Sequence, residues 1–548
     1  MNLSQKKRQR MLDLLARIRD EHKNDEGMLI AINEIESELN AKKYGLVWEE
    51  HEEAVDVKMR THIPVFTEDP DREIASAPDD NYNFLLEGDN LHSLYLLEKT
   101  HKGRIDVIYI DPPYNTGTND FIYNDKYIGR EDSFFHSKWL SFMSARLKIS
   151  RRLLSDAGII FISINDIECP NLRLLCDSIF GEQNFIGQFI WKNRKALDSR
   201  NKTRFSNNHE YIIAYAKSID KAVLQGKEVS KEKYSNPDND PRGEWLSCSI
   251  LGLANSQQRP NLHYDLIDPK TGIVYPPNPN TGWRYSKETI EQKMAEGRIL
   301  FPDKPSGRPR EKKFYNEIRS QYTGVSSVLS EDVGYTEDSS KDINAIFNKR
   351  AFDFPKPVAL ISFLVSQIQN KDTTVLDFFA GSGTTAQAVL ELNRQDGGHR
   401  KFILCTNNEN NICSEVTYPR VKTVITGKRD DGSIYSDGIP ANLKYYRTDF
   451  VARDEEYLSD ALLEHIKEMI ELENAVKIDG SDYIMILDEE EADELAQNWN
   501  KYPNVKAIYV SSDVLFTTEQ TKIFADTEVY IIPDYYFEFD LRQEEKVW

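Results

Sequence analysis

The stretch Arg104 to Gly117, RIDVIYIDPPYNTG, decides the fold of the chain. Residues 107–110 form a β-branched and aromatic run that predicts a fully buried strand. The strand ends at Asp111, because Pro112 and Pro113 fix φ and remove two backbone donors. The sequence therefore predicts a rigid turn at the carboxyl edge of a buried strand, where α/β proteins bind their ligands.

This turn presents the carboxylate of Asp111, several free carbonyls and the aromatic face of Tyr114. Such a set suits a planar group that carries an amino donor. Two other interpretations stay open, an ordinary structural turn and a proline-rich ligand of a recognition domain. The buried strand that leads directly into the turn argues against an exposed ligand peptide.

A second motif lies at 373–385, TTVLDFFAGSGTT. Residues 375–378 predict a strand, and residues 384–392 predict a helix. Gly381 and Gly383 permit a tight turn between them, which brings backbone N–H groups close to a ligand at the helix N-terminus. A phosphate loop is excluded because no Gly-Lys-Ser/Thr follows, and the dinucleotide fingerprint lacks its third glycine.

The order of these two motifs resembles the β-group of S-adenosylmethionine-dependent DNA amino-methyltransferases, in which the catalytic motif precedes the cofactor motif. Further segments extend the resemblance to the modification subunits of type III restriction–modification systems. These segments are LLEGDNLHSL (85–94), FGEQNFIGQFIWKN (180–193), HEYIIAYAK (209–217), DFPKPVALI (353–361) and DYYF (534–537). A solitary methyltransferase of the same build looks identical at this level.

The resemblance implies S-adenosyl-L-methionine as the methyl donor and double-stranded DNA as the substrate. It leaves open a homodimer and an ATP-dependent restriction subunit as partners. The catalytic residues that it implies are Asp111, Pro112, Pro113 and Tyr114. The cofactor-binding residues that it implies are Asp89, Lys356, Asp377, Phe379, Gly381, Gly383, Thr384 and Glu409.

Three of these cofactor residues have specific expected roles. By resemblance, Asp89 lies beside the adenine of the cofactor, although an Asp there also suits a helix N-cap. By resemblance, Lys356 meets the carboxylate of the methionine end. Glu409 is the candidate for the ribose hydroxyls, since Rossmann-like folds often place an acid about 20 to 30 residues beyond the glycine loop. Relatives often carry that acid directly at the strand end.

The implied reaction is methylation of adenine N6 in a base rotated out of the duplex. The Asp111 carboxylate and the Pro112 carbonyl accept the two N–H bonds of the amino group, and Tyr114 stacks on the base. These contacts strengthen as positive charge develops on the nitrogen. N4-cytosine methylation shares the mechanism and stays open as the alternative. Cytosine C5 methylation usually needs a Pro-Cys pair, which the sequence lacks.

Composition narrows the remaining possibilities. A chain of 548 residues is long enough for two to four domains. No apolar run approaches the roughly 20 residues of a membrane span, and the basic start MNLSQKKRQRMLDLL does not resemble a secretory signal. The five cysteines lack metal-ligand spacing, so the sequence predicts free thiols and no metal site. We therefore expect a cytoplasmic protein without a membrane partner.

The net charge of −21 is unusual for a DNA-binding protein, because DNA affinity depends on phosphate neutralisation. Two basic segments, 192–204 and 304–313, stand out against the acidic background. The local field decides binding, so these segments are predicted to contact phosphates. The alternative is that both are solvated loops.

Alternating strands and helices predict an α/β fold with a Rossmann-like, mostly parallel sheet. The domain boundaries predicted from composition and resemblance are 1–60 for an N-terminal helical region, 61–220 for the first part of the methyltransferase core, 221–350 for an inserted target-recognition domain, 351–432 for the second part of the core and 433–548 for an acidic C-terminal α/β domain. The polar, proline-interrupted residues from about 45 to 80 indicate a connecting arm.

Overall fold

The computed structural model describes residues 3–22, 26–40, 48–117, 121–123, 126–197, 205–226, 228–302, 304, 306–318 and 322–537. The chain divides into two compact units. Leu224–Ser326 form the smaller one, and the segments on either side of it form the larger one.

The secondary structure alternates between strands and helices along most of the chain. The strands are β1 (His62–Glu68), β2 (Ile74–Ala75), β3 (Tyr82–Glu87), β4 (Ile105–Ile110), β5 (Ile122–Tyr123), β6 (Lys126–Tyr127), β7 (Leu154–Ile164), β8 (Phe185–Lys192), β9 (His209–Ala216), β10 (Trp245–Ser249), β11 (Leu266–Ile267), β12 (Val274–Tyr275), β13 (Ile299–Leu300), β14 (Arg310–Phe314), β15 (Thr374–Asp377), β16 (Lys401–Thr406), β17 (Asn442–Ala452), β18 (Tyr483–Ile486), β19 (Ala507–Val510) and β20 (Glu528–Ile531). The helices are α1 (Leu3–Glu21), α2 (Glu26–Asn40), α3 (Ala54–Met59), α4 (Asn90–His101), α5 (Phe135–Leu153), α6 (Cys169–Phe180), α7 (Lys287–Ala295), α8 (Thr336–Phe347), α9 (Val358–Ser366), α10 (Thr384–Asp396), α11 (Tyr418–Thr426), α12 (Leu458–Leu463), α13 (Ile466–Asn474), α14 (Glu489–Gln497) and α15 (Thr518–Ile523).

One large mixed sheet organises the larger unit. Its strand order is β1-β17-β3-β16-β15-β4-β7-β9-β8, and β2 also pairs with β17. All neighbours from β17 to β7 are parallel, whereas β1 and the pair β9 and β8 are antiparallel additions at the two flanks. The predicted α/β fold with a mostly parallel sheet is therefore confirmed.

Strand β4 lies in the middle of this sheet, between β15 and β7. Ile108 and Ile110 belong to the apolar core that the sheet forms with α4, α5 and α6. Val107 and Tyr109 point to the other face, since successive side chains of a strand alternate, and they are buried as well. A strand covered on both faces needs a continuous apolar run, which is why the RIDVIYI segment forms it.

In the structure the main fold continues beyond the predicted boundary at residue 433. Strand β17 is inserted between β1 and β3, where Lys444 pairs with Phe84 and Phe450 with Pro64. The remaining C-terminal strands form a small parallel sheet, β18-β19-β20. One side of this small sheet, including Tyr509, shares the apolar core of the larger unit. The described residues from 433 to 537 therefore do not separate from the larger unit as a compact unit of their own.

The predicted connecting arm is also partly regular structure. Strand β1 covers residues 62–68 and pairs with β17 along its whole length. Pro64 lies in this strand, which is at the edge of the sheet, where the missing N–H of proline is tolerated.

The smaller unit contains fewer residues than the predicted insertion of 221–350. Residues 327–350 join the larger unit, because Ile190 N donates to Ser327 O at 2.7 Å and Leu329 N donates to Ile190 O at 3.0 Å. Trp191 Nε1 donates to Gly334 O at 2.9 Å, which fixes the next part of the segment. These bonds add the segment to the free edge of β8.

The smaller unit has its own core and its own charge. It contains the antiparallel sheet β10-β14-β13 and the pair β11 and β12. Trp283 is fully buried among the apolar residues around α7. Residues 224–326 contain 16 Lys and Arg against 13 Asp and Glu, a net charge of +3, while the rest of the chain carries 53 basic and 77 acidic residues, a net charge of −24.

The N-terminal residues form α1 and α2, which are joined by an ion pair between Arg19 Nη2 and Glu36 Oε2 at 2.6 Å. Across the part of the chain that the structure describes, every helix is too short or too polar to cross a lipid bilayer.

Candidate active site

A cleft of about 840 Å³ opens at the carboxyl ends of the parallel strands. It is lined by residues that follow β3, β4, β15 and β16, together with residues before α3 and in α5. Its walls contain the predicted residues Asp89, Asp111, Pro112, Pro113, Phe379, Gly381 and Glu409. The two sequence motifs, more than 260 positions apart, therefore meet in one cavity, as Rossmann-like topology requires.

The second half of the DPPY turn is held by side-chain hydrogen bonds. Trp139 Nε1 donates a hydrogen bond to Pro113 O at 2.8 Å, so one bare carbonyl of the turn is already used. Asn115 is fully buried with φ of 55° and donates to Glu168 Oε1 at 2.5 Å. These contacts fix both ends of the turn and leave Asp111 and Pro112 facing the cleft.

Behind Asp111 lies a buried cluster around one ammonium group. Lys356 Nζ lies 3.1 Å from Asp111 Oδ1 and 3.0 Å from Glu210 Oε2, and it donates to the Tyr114 hydroxyl at 2.7 Å. The Tyr114 hydroxyl donates to Glu210 Oε2 at 2.9 Å. Asn193 Nδ2 donates to the other oxygen of Glu210 at 2.8 Å. Four segments that are distant in sequence are thus joined by polar contacts.

The cluster shifts the ionisation of its members. Burial raises the pKa of Asp111 above its ordinary value, and the Lys356 ammonium opposes that rise. Burial acts in the same direction on Glu210, but the Lys356 charge and the hydrogen bonds from Lys356, Asn193 and Tyr114 together keep the pKa of Glu210 below its ordinary value. Burial would lower the pKa of Lys356, yet the two carboxylates hold it above its ordinary value. The ammonium therefore stays charged inside the protein.

The glycine loop between β15 and α10 is organised by Asp377. One carboxylate oxygen accepts from Phe379 N at 3.0 Å, and the other accepts from Thr385 Oγ1 at 2.5 Å. Burial raises the pKa of Asp377 to about 7. Gly381 and Gly383 have φ of 50° and 77°, a conformation that side chains disfavour, so the turn requires glycine at both positions.

A buried arginine braces the same loop from the other side. Arg420 Nη1 donates to Thr384 Oγ1 at 2.7 Å and to Ser382 Oγ at 2.9 Å. Thr417 Oγ1 donates to Gly381 O at 2.6 Å. The loop is therefore held in shape by side chains of α11 and of the segment that leads into it.

The opposite wall of the cleft is built around Arg146, which is fully buried. Its guanidinium donates to Glu53 Oε1 at 2.7 Å, to Asn90 Oδ1 at 2.5 Å and to Asp89 Oδ1 at 3.3 Å. Asp89 Oδ1 also accepts from Leu91 N at 2.8 Å and caps α4. Asp89 therefore acts as an N-cap and also lines the cleft.

The predicted site residues fall into three groups. Seven of them line the cleft, as given above. Asp377, Gly383 and Thr384 lie beneath the glycine loop and shape it, while Tyr114 lies with Lys356 behind Asp111. The Lys356 ammonium contacts Asp111, Glu210 and Tyr114, and its contact with a cofactor carboxylate stays a prediction.

Sequence reasoning missed four residues of this site, namely Glu210, Arg420, Arg146 and Glu53. Glu210 could have been noticed, because it is a charged residue at the start of an otherwise apolar strand, HEYIIAYA. The two arginines are single charges on the apolar sides of amphipathic helices. A lone charge at such a position signals a buried partner, although it does not say which one.

The first predicted DNA-contacting segment, 192–204, is described only as far as residue 197. Lys192 Nζ lies 3.1 Å from Glu331 Oε1, and Lys195 Nζ lies 3.5 Å from Asp338 Oδ1. Both lysines are half exposed, so these pairs are weak and do not prevent phosphate contact. Residues 198–204, with three of the six basic residues of the segment, lie outside the described residues.

The second predicted segment, 304–313, is only partly available for DNA. Lys312 is buried, and its ammonium lies 2.9 Å from Asp240 Oδ2, so it does not face solvent as the sequence suggested. Arg308, Arg310 and Lys313 are exposed. Within strand β14, Arg310 and Lys313 are exposed, while Glu311, Lys312 and Phe314 are buried.

Comparisons with known proteins show which family and which proteins the chain is similar to. A family model described as DNA methylase matches residues 105–417. The Mod subunit of the type III restriction-modification enzyme StyLTI of Salmonella typhimurium is 33% identical over 391 residues, which is 66% of this chain and 58% of that protein. The type II methyltransferase M.KpnI of Klebsiella pneumoniae is 36% identical over 353 residues, 60% of this chain and 82% of that protein. A Thermus thermophilus protein described as a putative DNA modification methylase, solved with S-adenosyl-L-methionine, is 13% identical with a TM-score of 0.29, covering 59% of this chain and 89% of that chain.

Proposed function

The chain belongs to the DNA methylase family, and from this we propose that it transfers the methyl group of S-adenosyl-L-methionine to adenine N6 in DNA. The observation that carries the proposal is the meeting of the Asp111 turn and the glycine loop in one cleft. A catalytic acceptor and a cofactor loop are useful only if they share a cavity. The alternative acceptor is N4 of cytosine, which requires the same contacts.

The residues of the cleft fit the cofactor. Phe352, Phe378 and Phe379 offer apolar surface for an adenine ring, and Asp89 and Glu409 offer carboxylates for amino and hydroxyl donors. Gly381 lines the cleft without a side chain, so its backbone is open to a ligand. When bound, S-adenosyl-L-methionine supplies an electrophilic methyl group on a sulfonium.

The protein's own contribution to the reaction is at the DPPY turn. Asp111 Oδ1 is buried and accepts no hydrogen bond of good geometry from the described residues, although the Lys356 ammonium lies 3.1 Å away. The side chain as a whole is 28% exposed and lines the cleft, so the carboxylate is still open to an amino group that enters there. Asp111 and the Pro112 carbonyl would then hold the two N–H bonds and orient the nitrogen lone pair.

Positive charge on the nitrogen makes these two hydrogen bonds stronger as the reaction proceeds. The carboxylate therefore stabilises the transition state more than the ground state, which is the requirement for catalysis. Tyr114 contributes an aromatic ring next to this acceptor, suited to stack on a base that has left the duplex.

We also infer that the smaller unit recognises DNA. Its positive net charge contrasts with the acidic remainder of the chain, and DNA affinity depends on local positive charge. The chain spans 58% of the length of the StyLTI Mod subunit, so a restriction subunit as partner is a proposal that rests on that similarity.

Methylation of DNA by the purified protein, followed by nucleoside mass spectrometry, tests the proposed function. We expect N6-methyldeoxyadenosine from the wild type and a loss of about 100-fold or more in rate for Asp111→Ala. Asp372→Ala is the matched control, because Asp372 is exposed and precedes β15 at the end away from the cleft. N4-methyldeoxycytidine as product would establish the alternative acceptor, and absence of any methylated base on DNA of many sequences would overturn the proposal.

A further inference from the structure

Three side-chain oxygens surround the Lys356 ammonium group. An ammonium group has three protons, and Lys356 Nζ has three oxygen neighbours, on Tyr114 at 2.7 Å, Glu210 at 3.0 Å and Asp111 at 3.1 Å. All three oxygens belong to side chains, so the contacts depend on the residue types at these positions. Lys356 therefore contacts two residues of the DPPY turn directly, and it also contacts Glu210 of strand β9.

We propose that Lys356 and Glu210 form a positioning pair that orients the Asp111 carboxylate and the Tyr114 ring for methyl transfer. The inference rests on the proposed function and adds two residues to it that do not touch the reacting atoms. Glu210 comes from strand β9 and Lys356 from the segment before α9, so the pair also ties these two segments to the DPPY turn.

Tyr114 is fixed at its hydroxyl end. The hydroxyl accepts from Lys356 and donates to Glu210, which uses its single proton. The ring can then not swing into the cleft without breaking both bonds. A ring fixed in this way keeps a constant position for stacking on the incoming base.

Glu210 is fixed in turn. Its Oε1 accepts from Asn193 at 2.8 Å, and its Oε2 serves Tyr114 and Lys356. The side chain is mostly buried, with 16% of its surface exposed. Its orientation is therefore set by contacts of the protein itself and does not depend on the substrate.

The pair also sets the charge next to the reaction. With Lys356 protonated and both carboxylates ionised, the cluster carries a net charge of −1. Positive charge that develops on the amino nitrogen near Asp111 is then attracted by the cluster. With Glu210 neutral, the cluster would carry no net charge and this attraction would be weaker. The titratable groups facing Lys356 are Asp111, Glu210 and Tyr114.

Kinetics of Lys356→Met and Glu210→Gln test this inference, with calorimetric measurement of S-adenosyl-L-methionine affinity. We expect kcat to fall roughly 10- to 100-fold in both variants, while the cofactor Kd changes less than about twofold. In Lys356→Met the acid limb of the pH profile should move to higher pH, because Asp111 loses the cation that favours its ionised form. Tyr109 and Asp377 are the other ionisable groups close enough to feel the Asp111 charge.

A double variant and a control make the test specific. The combined effect of Tyr114→Phe and Lys356→Met on kcat should be smaller than the sum of the two single effects, because both remove the same contact. Lys444→Met removes a buried lysine far along the sheet and should leave kcat and the pH profile of the folded protein unchanged. Glu210→Gln is nearly isosteric and keeps the cluster folded if the methionine variant does not fold.

Two results would overturn the inference. The first is a rise of about tenfold or more in cofactor Kd in Lys356→Met with kcat retained, which would return Lys356 to the cofactor carboxylate. The second is unchanged kcat in Glu210→Gln. Both results presuppose methylation by the wild type, so they are distinguishable from failure of the proposed function, in which the wild type itself methylates no DNA.

Discussion

The larger unit contains two buried clusters of the same composition, a lysine with two carboxylates and a tyrosine hydroxyl. One surrounds Lys356, as described above. In the other, Lys444 Nζ lies 2.6 Å from Glu68 Oε1 and 2.8 Å from Glu471 Oε2. The Tyr446 hydroxyl donates to Glu471 Oε2 at 2.6 Å. The chemistry of the side chains is therefore not what distinguishes an active site from a structural core.

The two clusters differ in their exposure to solvent and in whether their carboxylate oxygens have hydrogen-bond donors. Lys444 and Glu471 are fully buried, and Glu471 Oε1 accepts a further bond from Ile478 N at 2.7 Å. In the first cluster the Asp111 side chain is 28% exposed towards the cleft, and its buried Oδ1 lacks a well-directed donor among the described residues. A closed cluster stabilises the fold, whereas a cluster that is exposed to the cleft keeps a carboxylate available for a substrate.

The largest expected difference between the clusters is in stability. Lys444→Met removes the buried cation from between Glu68 and Glu471 and leaves only the partly exposed Lys467, 3.2 Å from Glu68 Oε2, so we expect a loss of about 3 kcal/mol in the free energy of unfolding. Lys356→Met should lose less, because Asp111 can take up a proton or contact water in the cleft. Urea unfolding followed by tryptophan fluorescence measures both losses. Equal losses in unfolding free energy would show that exposure to the cleft does not reduce the cost of removing Lys356.

A buried carboxylate without a lysine sharpens the comparison. The pKa of Asp377 is raised from 3.8 to about 7 in the folded state, so the folded protein binds more protons than the unfolded one between these values. Stability from this group is therefore lost as the pH rises from about 4 to about 7, by at most about 1.4 kcal/mol per pH unit. Asp377→Asn mimics the protonated form and should flatten the dependence. Denaturant titrations at several pH values between about 4.5 and 8 measure the slope.

The tyrosines should separate function from stability. Tyr446→Phe removes a hydrogen bond to a buried carboxylate, and we expect a loss of about 1.5–3 kcal/mol in unfolding free energy without a change in kcat. Tyr114→Phe should lose less stability but lower kcat. A thermal-unfolding series and a methylation assay on the same two preparations give both quantities. The reverse pattern would contradict the division between a structural and an active cluster.

The smallest effect is expected at Glu68. Burial raises its pKa, but Lys444 and Lys467 outweigh burial and hold it below the ordinary value. A lowered pKa means that the stabilisation is present above the unfolded value of 4.5 and is lost as the pH falls through the folded value. Glu68→Gln should therefore reduce stability near neutral pH and make little difference in strong acid. The sign is opposite to that of Asp377, and acid titration of both variants checks it.

Local sequence predicts the parts of the site that depend on adjacent residues. The strand before Asp111, the proline turn and the glycine turn are all predictable, because each is encoded within about a dozen neighbouring positions. The Lys356 cluster is not predictable as a cluster. Its bonds join Tyr114 to Glu210 across 96 positions and to Lys356 across 242, and no local pattern encodes such distances.

The errors in the fold have a physical cause as well. Strand β1 is interpreted from sequence as a connecting arm because Pro64 normally argues against a strand, yet an edge position tolerates it. Strand β17 escapes prediction because its buried Lys444 makes the segment polar. The lysine is buried only because Glu68 and Glu471 meet it, and those partners come from elsewhere in the chain.

The order of strands in the large sheet also governs how the chain can fold as it is made. Strands β4, β7, β9 and β8 are close in sequence and adjacent in the sheet, so they can pair early during translation. The free edge of β4 receives β15 only after some 260 further residues, which takes roughly 13–50 seconds at ribosomal speed. Strand β3 waits longer, since Asn83 bonds to Asn442 across 359 positions. During that interval the nascent chain exposes apolar strand edges. Chaperones or rapid synthesis of the missing strands must then prevent these edges from pairing with neighbouring chains on the polysome.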